Sequence, residues 1–363
     1  MELLNNLTLL NMKKIILLLF VFTSIHFHAQ KRNEEAWNKA KEAIKLMEEG
    51  KIDESIDLLK ECEKIDSKDY TYPYEKAYAY ILKKDYKTAI KILTKTKKYK
   101  GITNQVYQLL GNCYSYSGEP EKAIKEYEEG MKKFPNSGNL YLEKGNIYLF
   151  QEKYNEAIQC YEDGIKVDPM YPSNYYRLAK LFFASKDKLS GLIYGELFMN
   201  IERTTKRTTE MSKLLYDTYT EVIKIDGDNA SIHFCELTID LKDVDNGKIE
   251  MPFCGIFGSH FILATITQKE VNLKTLSEMR LFFINSYFKK DYEKHPNLLF
   301  EYHNRLLQND LLEAYNFYLF QVGSSSEFNE WKNNNESTYT KFTEWYVQPE
   351  NIIEINQKNR FIR

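Results

Sequence analysis

Residues 104–135 read NQVYQLLGNCYSYSGEPEKAIKEYEEGMKKFP, and residues 138–169 read GNLYLEKGNIYLFQEKYNEAIQCYEDGIKVDP. Laid over one another at an offset of 34 residues, they match at Tyr107/Tyr141, Gly111/Gly145, Asn112/Asn146 and Tyr114/Tyr148. The same shift pairs Ala123/Ala157, Tyr127/Tyr161, Gly130/Gly164 and Pro135/Pro169. That many coincidences at one offset are not a product of composition. They mark an internal repeat, and a period of this size points to stacked supersecondary units. Carried backwards, the offset finds Ala77, Tyr80 and Ala89, then Ala43, Leu46 and Ser55; carried forwards, it finds Tyr175, Leu178, Ala179 and Phe182.

Each unit reads as two helices. Small residues at Gly111, Ala123 and Gly130 let the helices approach closely, and Tyr114 and Tyr127 fill the remaining space. Gly118 breaks the chain between them, and Pro120 suits the first turn of the second helix. Pro135 and Pro169 stop that helix, because proline cannot continue one. One such hairpin cannot bury its own apolar face, so the units must stack.

The pattern resembles the tetratricopeptide repeat (TPR): a bulky residue, Leu-Gly and an aromatic on helix A, then small, aromatic, small and proline on helix B. The best copies are Tyr107, Leu110, Gly111, Tyr114, Ala123, Tyr127, Gly130, Pro135 and Tyr141, Gly145, Tyr148, Ala157, Tyr161, Gly164, Pro169. Lys144 stands where the family has Leu. Five units are expected, at 36–69, 70–103, 104–137, 138–171 and 172–205. The first, second and fifth are degenerate. In the fifth, Gly191, Gly195, Phe198 and Arg203 fit poorly and leave its second helix in doubt. The resemblance covers a little under half the chain. It implies an all-α fold, a right-handed α-α superhelix with a concave side lined by the A helices.

By repeat position that concave side carries Tyr74, Tyr78, Gln108, Asn112, Tyr116, Asn146, Phe150, Tyr176, Arg177 and Lys180, with Leu142 and Phe183 beside them. In the family, an Asn at the position of Asn112 and Asn146 often hydrogen-bonds the backbone of an extended peptide, offering both a donor and an acceptor. It is also simply common there. The aromatic residues would grip an apolar side chain at low entropic cost, or else pack between neighbouring A helices. A chaperone-tail carboxylate clamp is not expected. Arg177 matches one clamp position, but Gln108, Glu143 and Ser173 occupy the others.

Outside the repeats, Lys13 and Lys14 precede an apolar run over residues 15–25, about half the length of a membrane span. With Ala29 as cleavage site, residues 1–29 read as a secretory leader, with Met12 as an alternative start. The expected location is therefore the periplasm or the exterior, without stable membrane insertion after processing. Cysteines number five: Cys62, Cys113, Cys160, Cys235 and Cys254. An odd count is a poor fit to a disulfide framework. Cys235 and Cys254 could pair in an oxidising compartment, but two unpaired thiols are expected.

Residues 206–225 read as a helix capping the array, and the run 226–229 (Asp, Gly, Asp, Asn) as a turn. Residues 230–262 read as irregular, with a β-like stretch at 231–241 and room for a short hairpin. Helical periodicity returns with Leu276, Met279, Leu281, Phe282, Ile284 and Phe288 on one helix. Further helices follow at 298–307 and 311–320. Ser324 and Glu327 have capping-box spacing before a helix with Trp331, and a last helix holds Tyr339, Phe342 and Trp345. No family is evident in 230–363.

Lysine and arginine total 50 against 52 aspartates and glutamates, so no basic excess points to nucleic acid. No His pair has helical metal-ligand spacing, and no Cys-x-x-Cys, phosphate loop or Gly-x-Ser-x-Gly elbow occurs. No cofactor is expected, and His295 and His303 have no evident metal or catalytic partner. Three readings remain. The first is a scaffold holding a protein or peptide in the concave groove. The second is an assembly subunit docking through apolar patches around Phe282, Phe283, Trp331 and Trp345. The third is an enzyme in 230–363, which converging His, Cys and carboxylates around a polar pocket would support.

Overall fold

The computed structural model describes residues 33–227, 229–236, 244–245, 248–249 and 251–363. The leader read at 1–29 lies outside the described residues. The chain forms two compact units, divided between Lys84 and Asp85.

The first unit holds α1 (Glu34–Glu48), α2 (Ile52–Ile65) and α3 (Thr71–Leu82). Asn33 opens α1 by accepting the Ala36 N–H at 3.1 Å. Ala36, Ala40 and Ala43 recur at helical spacing and are fully buried. A stripe this small lets α2 close in, with Leu59, Cys62 and Tyr72 completing the core.

The second unit begins with α4 (Tyr86–Thr96), α5 (Asn104–Tyr116), α6 (Pro120–Lys133), α7 (Gly138–Phe150), α8 (Tyr154–Val167), α9 (Pro172–Phe183), α10 (Lys188–Ile201) and α11 (Lys206–Val222). Within it α5 packs on α6, α7 on α8 and α9 on α10, and α5, α7 and α9 lie side by side. The close approach is built at glycine. A methyl group on Gly145 would meet the Tyr161 ring at 2.5 Å, and one on Gly111 would overlap Tyr127. The turns repeat too. Gly50, Lys84, Gly118 and Glu152, spaced 34 apart, all take positive φ. At Gly118 and Glu152 the next amide reaches back to Tyr114 and Tyr148 carbonyls at 2.9 Å, which closes the helix end. The strained conformation is therefore a property of the repeat, kept even where the residue is not glycine. The chain is all-α, of the TPR superhelix type with a helical C-terminal region.

The doubt over the fifth repeat is corrected. Its second helix, α10, is regular, and Leu189 through Asn200 are all buried. The repeat pattern fades because this helix has no solvent face. α9 covers one side; Tyr194 meets Phe361 at 5.1 Å, and Asn200 donates to the Tyr315 hydroxyl at 2.8 Å on the other.

After α11 come β1 (Ile223–Asp226) and β2 (Asn229–Ile232), an antiparallel hairpin whose turn carries Gly227 at φ +58. A two-residue ladder joins β3 (Val244–Asp245) to β4 (Lys248–Ile249). Much of the β-like stretch at 231–241 lies outside the described residues. The irregular region ends earlier than expected, because α12 (Phe253–Thr265) is a helix. Pro252 is its N-cap, and Gly258 lets it approach Ile232 of β2. Also corrected is the thiol count: Cys235 and Cys254 form a disulfide, while Cys62, Cys113 and Cys160 are free and buried.

The remaining helices are α13 (Leu273–Lys290), α14 (Leu298–Gln308), α15 (Leu312–Phe320), α16 (Ser325–Asn334) and α17 (Glu336–Tyr346). α13 buries Leu276, Met279 and Ile284 as expected, adds Arg280, Phe283 and Tyr287 to the buried face, and leaves Leu281 and Phe282 exposed, against expectation. Ser324 and Glu327 make no capping box. The Ser324 hydroxyl donates to Glu327 at 2.7 Å, and the other Glu327 oxygen accepts the Leu273 N–H at 2.8 Å, so the carboxylate serves the start of α13. Of the expected apolar patch only Phe282 is exposed. Phe283 is buried, Trp331 stacks on Phe317 at 4.4 Å, and Trp345 lies over Tyr302. One core cluster runs from Leu142 to Ile355, so the last repeats and the C-terminal helices share an interior.

Candidate functional site

The A-helix face of the second unit is formed by α5, α7 and α9, with α11 beyond them. The side-chain oxygens of the two asparagines are held alike. Tyr127 donates its hydroxyl to the Asn112 side-chain oxygen at 2.5 Å, and Tyr161 donates to that of Asn146 at 3.0 Å. Burial pushes both phenols well above their ordinary range, so they remain donors. Each asparagine is thus oriented by the aromatic of its own B helix. The Asn112 amide N–H groups have no acceptor among the described residues, and the Asn146 amide donates to Glu143 at 3.1 Å.

Gln108 is tied into a ladder between α5 and α7. It donates to Glu143 at 2.9 Å and accepts from Asn139 at 2.8 Å, while Asn104 donates to Ser137 and Asn139. On α9, Tyr176 is buried and donates to Glu210 of α11; Lys180 donates to the other Glu210 oxygen at 2.7 Å. Those bonds hold the Glu210 carboxyl below its usual range, and the same bond to Glu210 raises Lys180. Arg177 makes no hydrogen bond or ion pair among the described residues, and its charge reaches the Tyr161 hydroxyl and Glu210. Tyr116 and Phe150 end their helices at the A–B turns and are 60% and 91% exposed, with the Tyr116 ring 5.4 Å from Tyr86.

The expected residues therefore divide. Asn112 and Asn146 are fixed by tyrosines of their own B helices and Arg177 is unengaged among the described residues, Gln108, Tyr176 and Lys180 are engaged by neighbours, and Tyr116 and Phe150 are exposed at the A–B turns. In the first unit Tyr74 is half-buried, with its phenol raised by burial, and Tyr78 is 42% exposed. Sequence reasoning missed Glu143 and Glu210. Glu143 sits at the repeat position of Arg177, where the clamp comparison rejected it, and Glu210 lies outside the repeats.

Two clusters carry catalytic residue types. Glu196, Arg280 and His303 converge, with Arg280 donating to Glu196 at 2.6 and 3.0 Å and Tyr315 donating at 2.9 Å. His303 Nε2 lies 2.5 Å from Glu196, and because that carboxyl is ionised the ring nitrogen is the donor. Burial alone would raise the Glu196 carboxyl, but Arg280 and His303 outweigh it and hold it well below the carboxylate range. Burial, with Arg280 nearby, lowers His303 and keeps it neutral. All three residues are at most 3% exposed, which leaves a substrate no approach; the cluster ties α10 to α13 and α14. Ser286, His260 and Asp291 form a second chain, at 2.7 Å for each link. Here the ring is buried against Phe283 and Tyr287, and the serine also bonds its own helix at the Phe283 carbonyl. The first cluster is an interior polar network; in the second only the His260 ring is buried, while Ser286 and Asp291 are half-buried.

The Tetratricopeptide repeat family matches residues 105–132, and the TPR repeat family matches residues 145–185. The chain thus carries tetratricopeptide repeats over these residues. No curated protein matches it in sequence. Solved TPR structures are similar over part of the chain. A MamA fragment from Desulfovibrio magneticus RS-1 is 17% identical, covering 48% of this chain and 98% of that one, with a TM-score of 0.37. PilF of Pseudomonas aeruginosa is 15% identical over 51% and 83%, with a TM-score of 0.42. A thermophilic TPR protein of Thermus thermophilus is 15% identical over 50% and 98%, with a TM-score of 0.41. TPR proteins are typically non-enzymatic scaffolds for protein–protein interaction, and no helix among the described residues of this TPR chain is long and apolar enough to cross a membrane.

Proposed function

We propose that the A-helix face of α5, α7 and α9 holds an extended segment of a protein partner in the cell envelope. The observation that carries this reading is the pair Asn112 and Asn146. Their carbonyl oxygens are taken by tyrosines, so the amide N–H groups are oriented one repeat apart on one face. Neighbouring helices lie about 8–10 Å apart. An extended chain rises about 3.3 Å per residue. Donors on successive repeats therefore meet peptide carbonyls roughly three residues apart. The free Arg177 guanidinium beside them favours an acidic side chain on the segment, and Phe150 favours an apolar one at the edge. The envelope location is supported by the leader read at 1–29 and by the Cys235–Cys254 disulfide, since such bonds persist in oxidising compartments.

The test uses the full mature chain. A fragment ending at 205 would expose the back of α10, which the C-terminal half buries. A partner captured by crosslinking is titrated against Asn112→Asp/Asn146→Asp, which keeps the acceptor for each tyrosine, removes the donor and sets a carboxylate in its place. Loss of two net hydrogen bonds of about 1 kcal/mol each predicts roughly tenfold to thirtyfold weaker binding. Unchanged affinity in this variant and in Arg177→Gln would refute the groove reading.

A further inference from the structure

A cavity of about 420 Å³ lies in the second unit, away from the A-helix face. Three helices start on its wall: α10 after Asp187, α12 after Pro252 and α14 after Asn297. The segment 359–363 closes the remaining side, bringing Arg360 and Arg363. Its size falls in the range of small-molecule sites, roughly 300–1,000 Å³.

The polar lining is rich in donors. Asn297 is 7% exposed; its oxygen caps α14 by accepting the Leu299 N–H at 3.0 Å, and its amide nitrogen has no acceptor among the described residues. The first turn of α12 has no side-chain cap. The half-buried Arg360 guanidinium lines the cavity, with Nη1 donating to the Gln357 carbonyl and Nε unpartnered behind it. The carboxylate on the wall, Asp187, is already engaged. It accepts the Ser190 N–H at 3.1 Å and the Ser190 hydroxyl at 2.8 Å, with Arg363 3.7 Å away. Three helix N-termini add positive potential, so a bound anion would meet complementary dipoles and charge. The rest of the wall is apolar, with Leu189, Ile193, Phe253 and Phe361.

We infer that this cavity binds a small organic monocarboxylate with an apolar body, its carboxylate at Asn297 and Arg360 and its body against Ile193 and Phe253. The probes are phenylacetate and hexanoate, with phenylacetamide and inorganic phosphate as comparisons, titrated by calorimetry into the full mature chain. Phenylacetate is expected to bind at one equivalent, at least tenfold tighter than the amide or phosphate. Asn297→Asp retains a good N-cap but sets a carboxylate where the donor stood. It should weaken phenylacetate at least tenfold, and Arg360→Gln should do so with the melting temperature unchanged. Should Asn297→Asp fail to fold, Arg360→Gln decides alone. No binding of either acid at 10 mM, equal binding of acid and amide, equal binding of phosphate, or a wild-type affinity in Arg360→Gln would each overturn the assignment.

Discussion

Replacing Arg280 by Met tests whether the buried cluster is an interior ion pair. The guanidinium is 3% exposed and donates twice to Glu196, to Tyr219 at 3.1 Å and to Asn316 at 2.7 Å. Its removal strands a carboxylate that is itself 1% exposed. Breaking a buried pair in this way costs about 3–5 kcal/mol. The variant can relieve the charge by taking up a proton on Glu196, since burial keeps His303 neutral. Protonating a carboxyl with the ordinary value of 4.5 costs about 3.4 kcal/mol at pH 7 and about 0.7 at pH 5. The sign follows. In the wild type both Glu196 and His303 are depressed, so their contribution is present above their unfolded values and is lost as pH falls. In Arg280→Met the folded state holds a proton the unfolded chain releases, so stability falls as pH rises. The deficit should therefore be about 3–5 kcal/mol at pH 7–8 and shrink by about 2–3 kcal/mol at pH 5. Urea unfolding followed by tryptophan fluorescence in a Trp37→Phe background reports the second unit through Trp331 and Trp345. Glu196→Gln/Arg280→Met should be more stable than Arg280→Met at pH 8, because the stranded charge is gone. A pH-independent deficit, or a double variant no better than the single, would refute the reasoning.

Further outcomes are expected. Gly145→Ala drives a methyl group into the Tyr161 ring and should cost about 1–3 kcal/mol, measured by chemical denaturation; a neutral result would show that the hairpin has room to spare. Reducing Cys235–Cys254, which are 19 residues apart, should cost about 3 kcal/mol by loop entropy and lower the melting temperature. Thiol titration checks the pairing: three thiols should react in the unfolded, unreduced chain and five after reduction. In the native protein none should react readily, since burial raises Cys62 and Cys160 to about 11 and Cys113 to about 12.

The equivalence of Asn112 and Asn146 was legible in the amino-acid sequence. Repeat position alone put Asn112 and Asn146 on one surface, and the hydroxyls that orient them come from Tyr127 and Tyr161, themselves repeat positions. The reading failed where burial, rather than periodicity, sets the residue type. α10 lost the repeat pattern because it is covered on every side. Phe283 and Arg280 were passed over in favour of Leu281 and Phe282, since a helix buried on a broad face has no sharp apolar stripe to read.

The amino-acid sequence by itself determined the hairpin, its 34-residue period and its turns. These depend on contacts within one repeat, where a glycine must face its own tyrosine and a left-handed turn must follow each A helix. Only the tertiary structure decided that the C-terminal half shares a core with the last repeats, that Cys235 meets Cys254, and that three helix starts and two arginines enclose a cavity. Those arrangements join residues from 19 to more than 100 positions apart. No local spacing encodes such pairings, because their stability comes from burying both partners at once.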